Sequence, residues 1–225
     1  PKKDIIKSAK GIQTEGYKHQ LYFHYPKYGG IQSLFNAFSK KLNFKVKILN
    51  NQNIKKIEKV NKNFLVTSNN KKYVADKIFS TIPLKEFNSI FKGNSSINKS
   101  SKKLQYNSII IAMVNIKGDF GGKNFALMVP NKKIIFHRIS KLDFLGNSYS
   151  KKNSTTFQIE ITYRDKSKIG KMKNKNIFQN IYLGLKELNF IKKKSDINFK
   201  SLKRFKYAYV IYDLNHRKNV DQIIN

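Results

Sequence analysis

The chain has 225 residues, 46 Lys and Arg against 13 Asp and Glu, and a formal net charge of +33 at pH 7. That length can bury a core in one large or two small domains, and 40% hydrophobic with 13% aromatic content argues against simple disorder. The absence of Cys excludes a disulfide framework, a thiolate nucleophile and Cys-based zinc or iron–sulfur centres, and no apolar run approaches the roughly 20 residues that span a bilayer.

Residues 1–20 are mixed and weakly patterned. An aromatic run follows at 21–28, interrupted by Pro26 and ending in the pair Gly29-Gly30. Directly after it, Ile31, Leu34, Phe35, Phe38 and Leu42 recur at helical spacing, so a glycine turn feeds an amphipathic helix. Short strands are expected at 46–49, 54–60, 64–67 and 72–75, separated by Asn-rich turns. Residues 77–83 read as an apolar strand stopped by Pro83, and 84–91 as a short helix. The Ser/Asn/Lys-rich stretch 93–103 reads as a crossing between domains.

Residues 108–116 are nearly continuous and rich in β-branched side chains, the signature of a buried strand. Further strands are expected at 125–130, 134–140 and 155–163. In the last, Phe157, Ile159, Ile161 and Tyr163 alternate with Gln158, Glu160 and Thr162, so one face is expected to be wet. Ile177, Ile181, Leu185 and Leu188 line one face of a helix over 176–190. A final strand runs from about 199 to 212. No repeat occurs at a solenoid period.

A strongly basic chain invites a nucleic-acid or anionic-membrane reading. Here the basic residues are 42 Lys and only 4 Arg (Arg138, Arg164, Arg204, Arg217), whereas base-edge readers favour the Arg fork. The chain also holds 26 Asn and 28 Ile beside 6 Ala. Lys, Asn and Ile are what an AT-rich coding sequence supplies, and surface positions accept them readily. The basic positions are spread along the whole chain. The charge is therefore read as compositional bias over an ordinary scaffold, with polyanion binding kept as the rival of a different class. Nucleic acid is not the expected partner.

Several catalytic signatures are absent. There is no G-x-G-x-x-G, Walker A loop, H-E-x-x-H or G-x-S-x-G. The four His (19, 24, 137 and 216) are too scattered for a metal site, and no metal is expected.

Three blocks, taken in order, carry more. The first is Tyr25-Pro26-Lys27-Tyr28-Gly29-Gly30-Ile31-x-x-Leu34. The second runs Val46-x-Ile48, Ile54-x-x-Ile57, Phe64-x-Val66 and Tyr73-Val74-Ala75-Asp76-x-Ile78-x-Ser80-Thr81-Ile82-Pro83-Leu84. The third is Tyr207-Ala208-Tyr209-Val210-Ile211-Tyr212-Asp213-Leu214. Together they resemble the middle portion of the flavin-containing amine oxidase / protoporphyrinogen oxidase-like family, with UDP-galactopyranose mutase a more distant relative. The similarity covers about residues 21–214 and rests on the order and spacing of all three blocks.

The resemblance implies an α+β fold. It places a partial FAD-binding domain with a β-meander at 1–92, and an antiparallel-sheet substrate domain with flanking helices at 93–225. It implies an FAD-dependent oxidoreductase acting on a small organic substrate, with a flavin-dependent UDP-sugar mutase as the alternative. The family's N-terminal Rossmann motif and its C-terminal FAD block are not in this sequence, so an internal fragment, inactive by itself, is expected. The expected location is cytoplasmic, the charge favouring surface attraction to anionic lipid.

The resemblance places Gly29, Gly30, Ile54, Thr81 and Pro83 near the cofactor and Tyr207, Tyr209 and Tyr212 at the substrate, and Arg138 joins the substrate-binding candidates as an arginine among lysines. Each residue also has a plain structural explanation. Gly29-Gly30 suits a tight turn at positive φ, Ile54 a core side chain, and Thr81-x-Pro83 a strand end closed by proline. The tyrosines suit aromatic packing, with Tyr207 and Tyr209 on one strand face and Tyr212 on the other. Arg138 resists the lysine bias, which suits either bidentate anion binding or an ordinary strand position. Asp213 suits a cap or turn, and His137 a structural role. No catalytic base stands out.

Overall fold

We describe a computed structural model of the chain, covering residues 6–7, 12, 23–42, 46–69, 71–91, 95–120, 122, 124–149 and 151–224. Most of residues 1–20, and Leu21 and Tyr22 of the aromatic run, lie outside these. The described contacts divide the chain into Pro1–Ile48 and Leu49–Asn225. The expected functional boundary at 92/93 falls inside the second of these units.

In the first unit, Gly29 and Gly30 have φ of 74° and 62°. Glycine takes such angles with no Cβ penalty, so the pair turns the chain tightly into helix α1 (Gly30–Leu42). A Cβ at Gly29 would lie 3.2 Å from Ser33 Cβ, and the Ser33 hydroxyl donates to the Gly30 carbonyl at 2.8 Å. The apolar stripe of α1 forms as its spacing predicts, yet none of its residues is buried. Residues 46–49 differ from expectation: they join no strand ladder. Alternating Val46 and Ile48 give β propensity, but a strand exists only with a partner.

The second unit begins with an antiparallel meander, β1 (Ile54–Val60), β2 (Asn63–Ser68) and β3 (Lys71–Ala75). Asn61 takes a φ of 55° in the β1–β2 turn, the left-handed geometry that Asn tolerates. β1 is an outer strand with a register shift between Ile54 and Lys56. Residues 77–83 differ from the expected strand. They join no strand ladder, the chain bends at Ile82, and Phe79 is 92% exposed.

Pro83 starts helix α2 (Leu84–Ile90) at the residue where its fixed φ suits a helix entrance. Residues 93–103, expected as a loop crossing, instead contain helix α3 (Ser95–Lys103). Its small side chains permit close approach: Ser100 and Ser101 are buried, and the Ser100 hydroxyl donates to Gln222 Oε1 at 2.7 Å on the C-terminal helix α5 (His216–Ile224).

A five-stranded antiparallel sheet follows. Its strands are β4 (Gln105–Lys117), β5 (Ala126–Met128), β6 (Arg138–Lys141), β7 (Ser154–Tyr163) and β8 (Ile197–Ile211), in the order β5-β6-β7-β4-β8. β8 is therefore an edge strand. Helix α4 (Asn174–Glu187) supplies the core of one face. Ile110, Ala112, Val114 and Ile116 of β4 and Phe157, Ile159 and Ile161 of β7 pack in one cluster with Ile177, Ile181 and Leu185 of α4. Gly184 is needed at that junction, because a Cβ there would lie 2.6 Å from the Phe136 ring. β6 begins later than expected, since residues 134–137 form an irregular approach whose Ile134 and Phe136 are buried. The architecture is thus α+β, with antiparallel sheets.

Candidate functional site

A pocket of 360 Å³ lies where residues 81–85 meet the start of β4 and the end of β8. Its walls include Thr81, Pro83, Tyr106, Tyr207, Tyr209 and His216. Four residues separated by more than 120 positions in the sequence, Thr81 and Pro83 with Tyr207 and Tyr209, therefore share one cavity. Antiparallel pairing explains this. Gln105 and Tyr106 of β4 lie opposite Ile211 and Val210 of β8, which brings the chain leaving 81–90 against the tyrosine strand.

The Tyr106 and Tyr207 rings pack with centroids 4.3 Å apart at 55°. Lys85 Nζ sits 5.6 Å over the Tyr106 ring and donates to the Lys102 and Leu104 carbonyls at 3.3 and 3.5 Å. Lys206 Nζ bonds Glu86 Oε1 at 2.9 Å, and this hydrogen bond raises the Lys206 pKa above its ordinary value. The Tyr207 hydroxyl and His216 Nδ1 are buried without a hydrogen-bond partner, an arrangement that a ligand or water resolves in most proteins.

Tyr212 does not join this pocket. It lies just past the end of β8, is 79% exposed, and meets the His216 ring edge-on at 4.7 Å. Asp213 acts as a turn residue, accepting from the Asn215 backbone N–H at 2.9 Å and from Gln105 Nε2 at 3.0 Å. Arg138 lies on β6, directly across from Glu160 on β7. Ile54 opens β1 in the meander, and Gly29 and Gly30 belong to the first unit.

Arg138 leads to a group that the sequence reading missed. Glu160 was expected on a wet strand face, but it is only 2% exposed. Its Oε1 accepts from Arg138 Nη2 and, at 3.2 Å, from Gln158 Nε2; its Oε2 accepts from the Tyr209 hydroxyl at 3.3 Å. His137 Nε2 stands 3.9 Å from the same Oε2. The hydrogen bond to Glu160 raises the Arg138 pKa, outweighing the opposing effect of burial. Through one carboxylate, Arg138 is thus tied to Tyr209, which walls the pocket. Charge-assisted bonds of this kind hold both side chains in fixed rotamers.

No cluster of three or more His, Asp or Glu able to hold a metal occurs among the described residues. Among the same residues, no helix is long and apolar enough to cross a membrane.

No family model matches the chain, and no curated protein matches it. Solved structures do. A reduced UDP-galactopyranose mutase superposes with a TM-score of 0.75 at 17% identity, over 88% of this chain and 43% of that one. A protein from Exiguobacterium, assigned as a protoporphyrinogen oxidase, gives 0.72 at 11% identity, over 86% and 42%. A putrescine oxidase redesigned in its cofactor binding gives 0.64 at 11% identity, over 86% and 44%. The chain spans less than half the length of the structures it matches, and over that span it has their fold.

Proposed function

We propose that the chain is part of an FAD-dependent oxidoreductase that acts on a small organic substrate, with residues 1–92 contributing to the FAD domain and 93–225 to the substrate domain. One observation carries the reading. On a fold shared with a protoporphyrinogen oxidase-like protein and a putrescine oxidase, the Thr81-x-Pro83 segment and the Tyr207/Tyr209 pair line the same pocket.

Each within its own unit, several residues suit a flavin cofactor. β1 is an outer strand whose free edge is bridged at Ile57 by Phe91, and an outer strand leaves its remaining outward N–H and C=O groups unpaired. Backbone recognition of a ring edge by Ile54 requires such a strand. Gly29 and Gly30, both at positive φ where α1 begins, let backbone approach a ligand without a Cβ in the way. Thr81 and Pro83 would lie near the cofactor. The flavin, when bound, supplies the electron or hydride transfer. The chain's own residues position the substrate and exclude water: Tyr207 and Tyr209 as aromatic walls, Arg138 as an anion-binding fork held by Glu160.

The test is expression of the intact reading frame that contains this chain. A glycine-rich dinucleotide-binding motif upstream and a yellow protein with flavin absorption are expected. A colourless protein that takes up no FAD would sink the reading. The 0.75 TM-score to the mutase favours a second reading on the same scaffold, a flavin-dependent sugar-nucleotide mutase. It is separated by turnover that needs both reduced flavin and a nucleotide-sugar and shows no net oxidation.

A further inference from the structure

A second cavity, of 450 Å³, lies away from the tyrosine pocket, between α4 and the first residues of β8. Its floor is apolar, formed by Val114, Ile181 and Ile197. Its rim carries Lys175, Lys194 and Lys200 beside Gln179 and Asn198. Lysine is common in this chain, so its presence alone says nothing. Three features, none of them confined to this groove, coincide here around three lysines.

First, two of the ammonium groups are placed by aromatic rings of the same groove. Lys194 Nζ lies 5.4 Å over the Tyr182 ring, and Lys200 Nζ lies 5.2 Å over the Phe178 ring. Cation–π contact restricts side chains that would otherwise sample many rotamers. Second, no carboxylate lines the groove, and the first turn of α4 has none. The nearby Asp196 is turned away. Its Oδ2 accepts the Lys192 and Lys193 backbone N–H groups at 2.8 and 2.9 Å, and these bonds hold its pKa below the ordinary value. Third, among the described residues Lys175, Lys194 and Lys200 form no ion pair, unlike Lys56, Lys141 and Lys206. Three like charges around one concavity repel each other, and only a multivalent anion relieves all three together.

We infer that the groove between α4 and β8 binds an oligophosphate group through Lys175, Lys194 and Lys200. The amide of Gln179 donates to the same anion, whereas that of Asn198 is already bonded to Asn115 Oδ1 at 2.9 Å. The faces of Tyr182 and Phe178 are already covered by ammonium groups, so the phosphate chain is the recognised part.

The experiment is equilibrium titration of the 225-residue chain with inorganic tripolyphosphate and, in parallel, with ATP, at physiological salt. A triple variant, Lys175→Ser/Lys194→Ser/Lys200→Ser, is compared with a charge-matched control, Lys55→Ser/Lys59→Ser/Lys72→Ser. The groove variant should weaken both ligands by at least about tenfold, and the control by less than about twofold. Equal affinities of the wild type for both ligands support a phosphate-only site, and tighter ATP supports a nucleotide source. Equal weakening by both variants, or no saturable binding at that salt, would overturn the inference, because either outcome leaves only the diffuse field of a +33 chain. Since the groove lies outside the tyrosine pocket, neither result bears on the flavoenzyme reading.

Discussion

The two faces of the five-stranded sheet are built from the same strands and differ in what holds them. On the α4 face, alternate residues of β4 and β7 bury Ile, Val and Phe side chains almost completely. On the other face, the intervening residues set Glu160 beneath Arg138, Gln158 and Tyr209. The first face derives its stability from area removed from water, which is insensitive to direction. The second derives little net stability from its ion pair, because desolvation offsets attraction. It gains side chains with fixed positions instead. A strand alternating between these two roles can anchor a fold and a site at once, provided that neither face depends on small changes in the other.

Truncation on the dry face should cost most. Phe157→Ala removes a ring that is 1% exposed, and a loss of about 3–5 kcal/mol is expected in urea unfolding. A loss below about 1 kcal/mol would mean the cluster is not a packed core. Overfilling the same face should cost less. Gly184→Ala forces the Phe136 ring and Ile134 to move, for about 1–3 kcal/mol.

The polar face answers a different question. Glu160→Gln should cost only about 1–2 kcal/mol, since Arg138 can turn to solvent once released. A joint Glu160→Leu/Arg138→Met replacement should recover most of that loss. If it costs as much as Phe157→Ala, the polar face is a structural core after all.

The smallest effect is expected at Asp143, near the backbone of Thr156, where burial raises the carboxyl pKa. A raised folded-state pKa means the fold prefers the neutral acid. Stability is fully present below the ordinary carboxylate value and is lost as pH rises through the raised one. Asp143→Asn should therefore raise the melting temperature by about 1–2 °C at pH 7, with the gain vanishing in acid. A gain that persists unchanged below pH 3.8, the ordinary value, would contradict this.

The dry face was legible because burial on it is written in residue type. The β-branched run of β4 and the four-residue spacing from Ile177 to Leu185 admit one reading each. The polar face was not. Glu160 stands in a clean alternation and looks solvated; its burial depends on a phenol from β8 reaching across β4, which no local pattern encodes. Helix α3 was hidden for a related reason. Its Ser, Asn and Lys residues have turn character, and packing against α5 decides their conformation. Residues 77–83 show the converse, strand propensity without a neighbouring strand. Tyr207 and Tyr209 were assigned to one strand face from alternation alone, but the meeting with Thr81 and Pro83 needed the sheet.

β8 is a long outer strand, and it carries Phe199, Phe205 and Val210 in exposed positions. Such a border invites edge-to-edge growth into intermolecular sheets. Along it stand Lys200, Lys203, Arg204 and Lys206, so two copies brought border to border would oppose rows of like charge. Lysine along this border thus acts as a gatekeeper against self-assembly.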